Sequence, residues 1–370
     1  MKILVLSLEF PPNGGGAGVV AYQTCTKLAE EGLDVTLMTG YSANLVREVF
    51  SFNVITVNLI PKFWFLSFFK KINASDYDVI LLNDPGAIYL AGLYLCSEDL
   101  SKCLCYLHGS EPEFIFEKPN FFKKLSFFKY FYSRSLQKSK LVLSPSHYMK
   151  DKFLSRVTGV LADNKILPVY FGVDEKLFQP RTCNILKERY SNPTGKTFIS
   201  VSRIEEKKGY LKKYEIFKKY LQVDNNATWL VVGTGRLLDS FRQRVMDEGF
   251  SDSIKFIGHV KRGELPYYYA LADVFWLLSD YDESFGLVYV EAQLCGIPCL
   301  GYKRAGVMEA IPNGSGLLVE DAVECFEHLK SGTIFTLDRE SIKRNALKFS
   351  LDAYATILIK VVNNVGGITQ

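Results

Sequence analysis

Two carboxylates and two cations in the second half of the chain are spaced for chemistry on an anionic, hydroxyl-rich substrate. Glu283 and Glu291 stand eight residues apart, with Ser284, Phe285, Gly286 and Leu287 between them. An apolar run over 272–278 precedes them and reads as a buried strand. A helix is expected over 284–295, stopped by Gly296 and Pro298. A helix start presents N–H groups and the positive end of the dipole, so this one could hold a phosphate. Gly286 removes a side chain where that ligand would approach. Eight residues are just over two turns, which sets both carboxylates on roughly one side. One could accept from hydroxyls of a sugar and the other from those of a ribose. The competing reading is a surface Glu pair on an ordinary helix.

Arg203 and Lys208 follow the apolar run 197–202. Placed after a strand and before a helix they can converge on an anion, although a charge run is more often a solvated face. Near the N-terminus, Gly14, Gly15 and Gly16 follow the run 3–8 and precede a helical pattern over 19–31. Residues 16–21 formally fit the GxGxxA dinucleotide fingerprint. Against that reading, Pro11-Pro12-Asn13 lengthens the turn, and Thr39-Gly40 stands where an acid would end the second strand. His108 closes the apolar run 104–107. Open α/β sheets bind ligands at the carboxyl ends of their strands, so His108 is either a site residue or a satisfied core histidine.

The elements needed to position these groups alternate between strand and helix. Apolar runs at 3–8, 35–38, 54–57, 79–82, 104–107 and 141–146 read as parallel strands, the last closing the first half. The alternation restarts at 197 and continues through 230–232 and 256–258. A chain of 370 residues with 48% hydrophobic content predicts two full-sized domains. A net charge of +4 is too small to imply nucleic acid. Eight cysteines include no CxxC pair, and with four histidines no zinc site is expected. They read as reduced thiols in a cytosolic core. Residues 1–9 are too short and acid-terminated for a signal peptide, and no run reaches the ~18 apolar residues of a membrane span.

The segment Glu283 to Glu291 with Phe285-Gly286 inside, followed by Gly296-Ile297-Pro298, resembles the signature of the GT-B glycosyltransferases of family 4. Ser202-Arg203 with Lys208-Gly209 looks like the family's "GR…K.KG". Gly233-Thr234-Gly235 resembles its "G.G" turn and Phe256-Ile257-Gly258 its "F.G" strand. Gly172-Val173-Asp174 with Phe178 and Pro180 is similar to its interdomain stretch. The resemblance covers the chain from the glycine loop to about residue 320. One departure stands out: where the family has "GG…E", this chain has Ala305-Gly306 and Glu309.

The resemblance implies an α/β GT-B fold, two Rossmann-like doubly wound domains facing across a cleft. It implies an acceptor domain over 1–174, a nucleotide-sugar domain over 175–350, and a C-terminal helix and tail over 351–370 packing on the first domain. A terminal helical stretch is expected over 338–364. The implied activity is retaining transfer of a sugar from a UDP- or GDP-sugar to a hydroxyl, in bacterial polysaccharide, lipopolysaccharide or glycolipid assembly. The leaving phosphate takes the acceptor proton, and neither metal nor cofactor is implied. Arg203, Lys208, Glu283 and His108 take catalytic roles. Gly15, Gly16, Gly233, Gly235, Gly258, Ser284, Phe285, Gly286, Leu287 and Glu291 bind the donor. Two other readings stay open, a dinucleotide-dependent oxidoreductase and a non-catalytic subunit on the same fold.

Residues 118–165 carry eleven Lys and Arg against Asp151 and Asp163. A helix over 121–138 would turn Phe121, Leu125, Phe128, Tyr132 and Leu136 to the core. Its other face would carry Lys123, Lys124, Arg134 and Lys138 among Phe127, Tyr130 and Phe131. Basic residues around exposed aromatics suit an interfacial helix, and residues 63–71 repeat that composition. The expected partner is an anionic membrane surface carrying a saccharide or lipid-linked saccharide acceptor. The expected location is cytoplasmic, peripheral at the inner face of the membrane.

Overall fold

Short apolar runs become parallel strands here because helices cover both faces of each sheet, so the runs need not alternate. The computed structural model describes residues 1–11, 15–41, 49–57, 73–190 and 192–367, apart from the side chain of Phe122. Contacts divide the chain into two units, Met1–Gly172 with Leu351–Gln370, and Val173–Ser350.

In the first unit the strands are β1 (Lys2–Leu6), β2 (Asp34–Gly40), β3 (Asn53–Val57), β4 (Val79–Leu82), β5 (Cys103–Tyr106), β6 (Leu141–Ser144) and β7 (Ile166–Pro168). They form one parallel sheet in the order β3-β2-β1-β4-β5-β6-β7. The run at 141–146 is therefore not the last strand. β7 is only three residues long and ends in proline, so its sequence carries little strand signal. Helix α1 (Gly16–Glu30) buries Val20, Ala21, Cys25 and Leu28. Helix α2 (Pro85–Tyr94) is capped by Asp84, whose Oδ1 accepts from Ala87 N at 3.0 Å.

The helix expected over 121–138 is two helices, α3 (Phe121–Leu125) and α4 (Phe128–Lys138). Phe127 separates them with φ +50, which a right-handed helix cannot contain. The break changes which residues face inward. Tyr132 and Leu136 are buried, whereas Phe121 and Leu125 are exposed and Phe131 packs against the core.

The second unit contains β8 (Thr197–Val201), β9 (Thr228–Val232), β10 (Ile254–Gly258), β11 (Val274–Leu277), β12 (Cys299–Tyr302) and β13 (Gly316–Val319), ordered β10-β9-β8-β11-β12-β13. Helix α5 (Tyr210–Tyr220) covers an aromatic core in which the rings of Trp229 and Trp276 lie 5.0 Å apart. Helix α6 runs over Leu287–Leu294 and not over 284–295. Gly286 precedes it with φ +102, so the preceding residues cannot extend the helix.

The terminal stretch 338–364 is likewise two helices, α7 (Arg339–Ala346) and α8 (Leu351–Val365). Between them Phe349 is buried against Phe285, and its carbonyl accepts from Val173 N at 3.0 Å. Only α8 belongs to the first unit. The Tyr354 hydroxyl on α8 lies 2.7 Å from Thr24 Oγ1 of α1 and 3.0 Å from the Tyr106 hydroxyl of β5.

Candidate functional site

Strand order reverses between β1 and β4 in one sheet and between β8 and β11 in the other. The carboxyl ends beside such a reversal are where open α/β sheets bind ligands. Most of the residues singled out in the sequence lie on the segments leaving these strands.

In the second unit, the chain leaving β8 carries Arg203 and Lys208, and the chain leaving β11 carries Glu283 to Gly286. Gly209, at φ +66, sits where a β-carbon would come within 1.9 Å of the Leu278 carbonyl, so only glycine lets these segments meet. Asp280 N donates to the Lys207 carbonyl at 2.7 Å and ties them further. The result is an ion pair between Lys208 Nζ and Glu283 Oε1 at 2.6 Å. Arg203 takes a different partner. Its side chain is 76% exposed and pairs with Glu205 at 3.0 Å.

The two carboxylates do not share a helix face. Because α6 opens only at Leu287, Glu283 lies ahead of the helix, and the spacing argument for one common side fails. Glu291 points inward from α6 and is 2% exposed. Its Oε1 lies 2.7 Å from Arg262 Nη1, and the Tyr269 hydroxyl donates to its Oε2 at 3.2 Å. Burial pushes the Glu291 carboxyl above its ordinary range, against the pull of Arg262 and Tyr269. Arg262 lies 4.9 Å from the Phe178 ring, and its Nη2 is buried without a hydrogen-bond partner.

Ser284 and the buried Phe285 lead through Gly286 to Leu287, the first residue of α6. The first-turn N–H groups of a helix have no intrahelical acceptor and suit an anion. The departure at Ala305 keeps its turn. Ala305 itself adopts φ +53, and Gly306 N donates to the Glu283 carbonyl at 2.9 Å. Arg304 beside it donates to the Ser279 carbonyl. Gly233 and Gly235 follow β9 and Gly258 ends β10. Gly233 N donates to the Gly258 carbonyl at 2.8 Å, and Ile204 N donates to the Thr234 carbonyl at 2.9 Å. These turns therefore flank the segment that bears Arg203.

In the first unit, Gly15 caps α1 and donates its N–H to Glu9 Oε2 at 2.9 Å, and Gly16 is the first helical residue. Gly14 lies outside the described residues, as do residues 63–71. Asn83 Nδ2 donates to the Ala17 carbonyl and to Ser7 Oγ, both at 2.9 Å. Asp84 is 3% exposed, and its Oδ2 accepts from Leu8 N at 2.5 Å. His108 Nε2 is bonded to the Asn83 carbonyl. A carbonyl only accepts, so Nε2 carries the proton and Nδ1 is left as an acceptor. The buried Glu111 carboxylate accepts from His108 N at 2.6 Å and from Gly109 N at 2.7 Å.

Asp84, Glu111, Arg262, Tyr269 and Arg304 are absent from the sequence-derived set. Asp84 had a readable signal, an acid directly before a proline that opens a helix. Arg262 had none, since its partner lies 29 residues away on another element. Among the described residues no group of His, Cys, Asp or Glu is placed to hold a metal ion, and no helix is long and apolar enough to cross a membrane.

Comparison with known proteins agrees with this architecture. Residues 14–177 match Glycosyltransferase Family 4, and residues 184–341 match Glycosyl transferases group 1. The N-acetyl-alpha-D-glucosaminyl L-malate synthase of Bacillus anthracis is 27% identical over 333 residues, covering 86% of this chain and 84% of that protein. A GDP-mannose-dependent phosphatidylinositol monomannoside mannosyltransferase of Mycobacterium tuberculosis is 30% identical over 184 residues, 47% of each chain. Among solved structures, Anabaena Alr3699/HepE in complex with UDP superposes with a TM-score of 0.79 at 19% identity, covering 98% of this chain and 100% of that one. Sucrose-phosphate synthase of Thermosynechococcus elongatus gives 0.80 at 18% identity over the whole of both chains.

Proposed function

We propose that this chain, which belongs to the GT-B glycosyltransferases, moves a sugar from a UDP- or GDP-sugar to a hydroxyl acceptor with retention of anomeric configuration. The observation that carries the proposal is the Lys208–Glu283 pair beside the opening of α6 at the strand-order reversal of the second unit. An ammonium and a helix start supply positive charge where a diphosphate would depart, and such fixed charge commonly dominates catalysis of this kind. Arg203 adds a solvent-facing cation. Once phosphate oxygens take Lys208, Glu283 can accept from hydroxyls of the transferred sugar. Glu291, with Arg262 and Tyr269, takes the ribose end of the nucleotide. Gly233, Gly235 and Gly258 leave room for the base.

In the transfer step, the bond between the anomeric carbon and the diphosphate oxygen breaks. The acceptor oxygen bonds to the same face of that carbon, and its proton passes to the departing phosphate oxygen. No protein nucleophile and no metal take part on this reading. Gly15 and Gly16 bind the donor, and His108 serves the acceptor side, with Nδ1 as its available ring nitrogen. The acceptor class we favour is a saccharide or lipid-linked saccharide, met by a peripheral protein at the cytoplasmic face of a membrane. The mannosyltransferase relatives that act on a phosphatidylinositol mannoside support this choice.

The test is proton NMR of the product formed from UDP- and GDP-sugars in the presence of a metal chelator. An α-linked donor should give an α-linked product with chelator present. A β-linked product, or activity that requires added metal, would overturn the corresponding part.

A further inference from the structure

Several cations elsewhere in the first unit have carboxylate partners. Lys150 pairs with Asp163, Lys152 and Arg156 with Glu113, and Lys27 with Asp352. The surface built by α3 and α4 is different. A cavity of about 780 Å³ opens there, lined by Lys123, Lys124, Lys129, Arg134 and Lys138 and by no acidic residue. Among the described residues, none of these five is paired with a carboxylate.

Two of the lysines are held by aromatic faces instead. Lys123 Nζ lies 3.8 Å from the centre of the Phe114 ring and donates to the Phe114 carbonyl at 3.2 Å. Burial without an acid lowers the pKa of its ammonium. Lys129 Nζ lies 5.5 Å from the Phe116 ring. Arg134 donates to the carbonyls of Gly92 and Leu95 at the end of α2, which fixes its position and leaves its charge unneutralised.

Apolar side chains crowd the same surface. Phe127 and Tyr130 line the cavity and are 68% and 65% exposed. Leu125, two residues before Phe127, is 67% exposed. Phe127 keeps its outward position in a left-handed conformation that L side chains rarely adopt. Unpaired cations around exposed rings are complementary to an anionic interface, where phosphates meet the charges and the rings enter below the headgroups. A single-stranded nucleic acid would also meet the cations and stack on rings. Leu125 has no π face to offer it and suits hydrocarbon.

We propose that this cavity receives phosphate headgroups of anionic lipid, so that α3 and α4 seat the first unit on a membrane surface. This deepens the lipid-linked acceptor reading, but the binding event itself needs no donor and no transfer.

The experiment is sedimentation of the full chain with phosphatidylcholine vesicles, with and without phosphatidylglycerol, at low and high salt. Wild type should bind only the phosphatidylglycerol vesicles and release them at high salt. The variant K124E/K129E/K138E spares Lys123 and Arg134, which bond to backbone carbonyls. It should keep the wild-type thermal transition and lose on the order of a hundredfold in vesicle affinity. Leu125→Ser with Tyr130→Ser should lose several-fold while keeping the salt dependence. The proposal is overturned if folded wild type ignores phosphatidylglycerol at low salt, or if the charge variant binds as wild type does. It also fails if a single-stranded oligonucleotide competes vesicles away while the Leu125/Tyr130 variant binds normally, which would indicate a nucleic-acid surface. Because no donor is present, a negative result here leaves the transfer reaction untouched, and a failed transfer assay leaves this result untouched.

Discussion

Lys208 Nζ and Glu283 Oε1 lie 2.6 Å apart across 75 residues of sequence, and both side chains are largely buried. They meet because β8 and β11 are neighbours in the sheet, so the segments leaving them emerge side by side. Glu291 occupies a separate place, closed in by Arg262 and Tyr269.

This separation predicts divided roles. Glu291→Gln removes a charged hydrogen-bond acceptor, a change worth roughly 1.5–3 kcal/mol, and should weaken binding of the bare nucleoside diphosphate by about tenfold to a hundredfold. Glu283→Gln should leave that affinity within about twofold and lower turnover by on the order of 10²-fold. Titration calorimetry with UDP and GDP, alongside kcat, separates the two. Equal loss of nucleotide affinity in both variants would contradict the division.

Ala305→Gly should stabilise the protein. Ala305 holds φ +53, where a β-carbon costs about 1–2 kcal/mol, and glycine's greater freedom in the unfolded chain takes back part of that gain. A net increase of about 0.5–1 kcal/mol is expected, read as a higher urea midpoint at unchanged slope. An unchanged or lowered midpoint would show that the turn is not strained.

How far the sequence foretold this structure depends on how local each signal was. The runs 3–8 and 272–278 announce buried parallel strands because both faces of each strand are covered, and their order of appearance is enough to suggest two doubly wound sheets. Phe127 and Gly286 defeated the helix limits, because a single left-handed residue resets the face of everything after it and periodicity does not register it. The helices on either side of Phe127 consequently share no common face, and Phe121 and Leu125 stand exposed while Tyr132 and Leu136 are buried. Within the site, Lys208 and Glu283 were legible as chemistry but not as a pair. The partners of Glu291 and the backbone anchoring by Asp84 were invisible, since each joins residues far apart in sequence that only the folded chain brings together.

Lys213 gives a pH-dependent test of the second unit's core. It is fully buried, donates from Nζ to Ser200 Oγ at 2.9 Å, and lies 4.0 Å from the centre of the Tyr210 ring. Burial, reinforced by the charge of Lys208, holds its pKa well below the ordinary 10.5. A lysine with a depressed folded pKa contributes stability above its unfolded pKa, and loses it as pH falls toward the folded value. Lys213→Met removes the titrating group. The stability of wild type relative to Lys213→Met should therefore decline as pH is lowered from about 10.5, as followed by urea unfolding across that range. A difference that stays flat with pH would show that Lys213 remains charged in the fold.

The central claim is transfer from a nucleotide sugar at the Lys208–Glu283 site, and the most direct test is kcat for nucleoside diphosphate release in wild type and Lys208→Ala. The donor is whichever of the UDP- and GDP-sugars turns over, and thermal unfolding confirms that both proteins are folded. Wild type should release nucleoside diphosphate in step with glycosylated product. Lys208→Ala should do so roughly 10²–10³-fold more slowly, the scale of losing one transition-state charge stabiliser. A near-normal kcat in folded Lys208→Ala, or no release from any nucleotide sugar by wild type, would contradict the account.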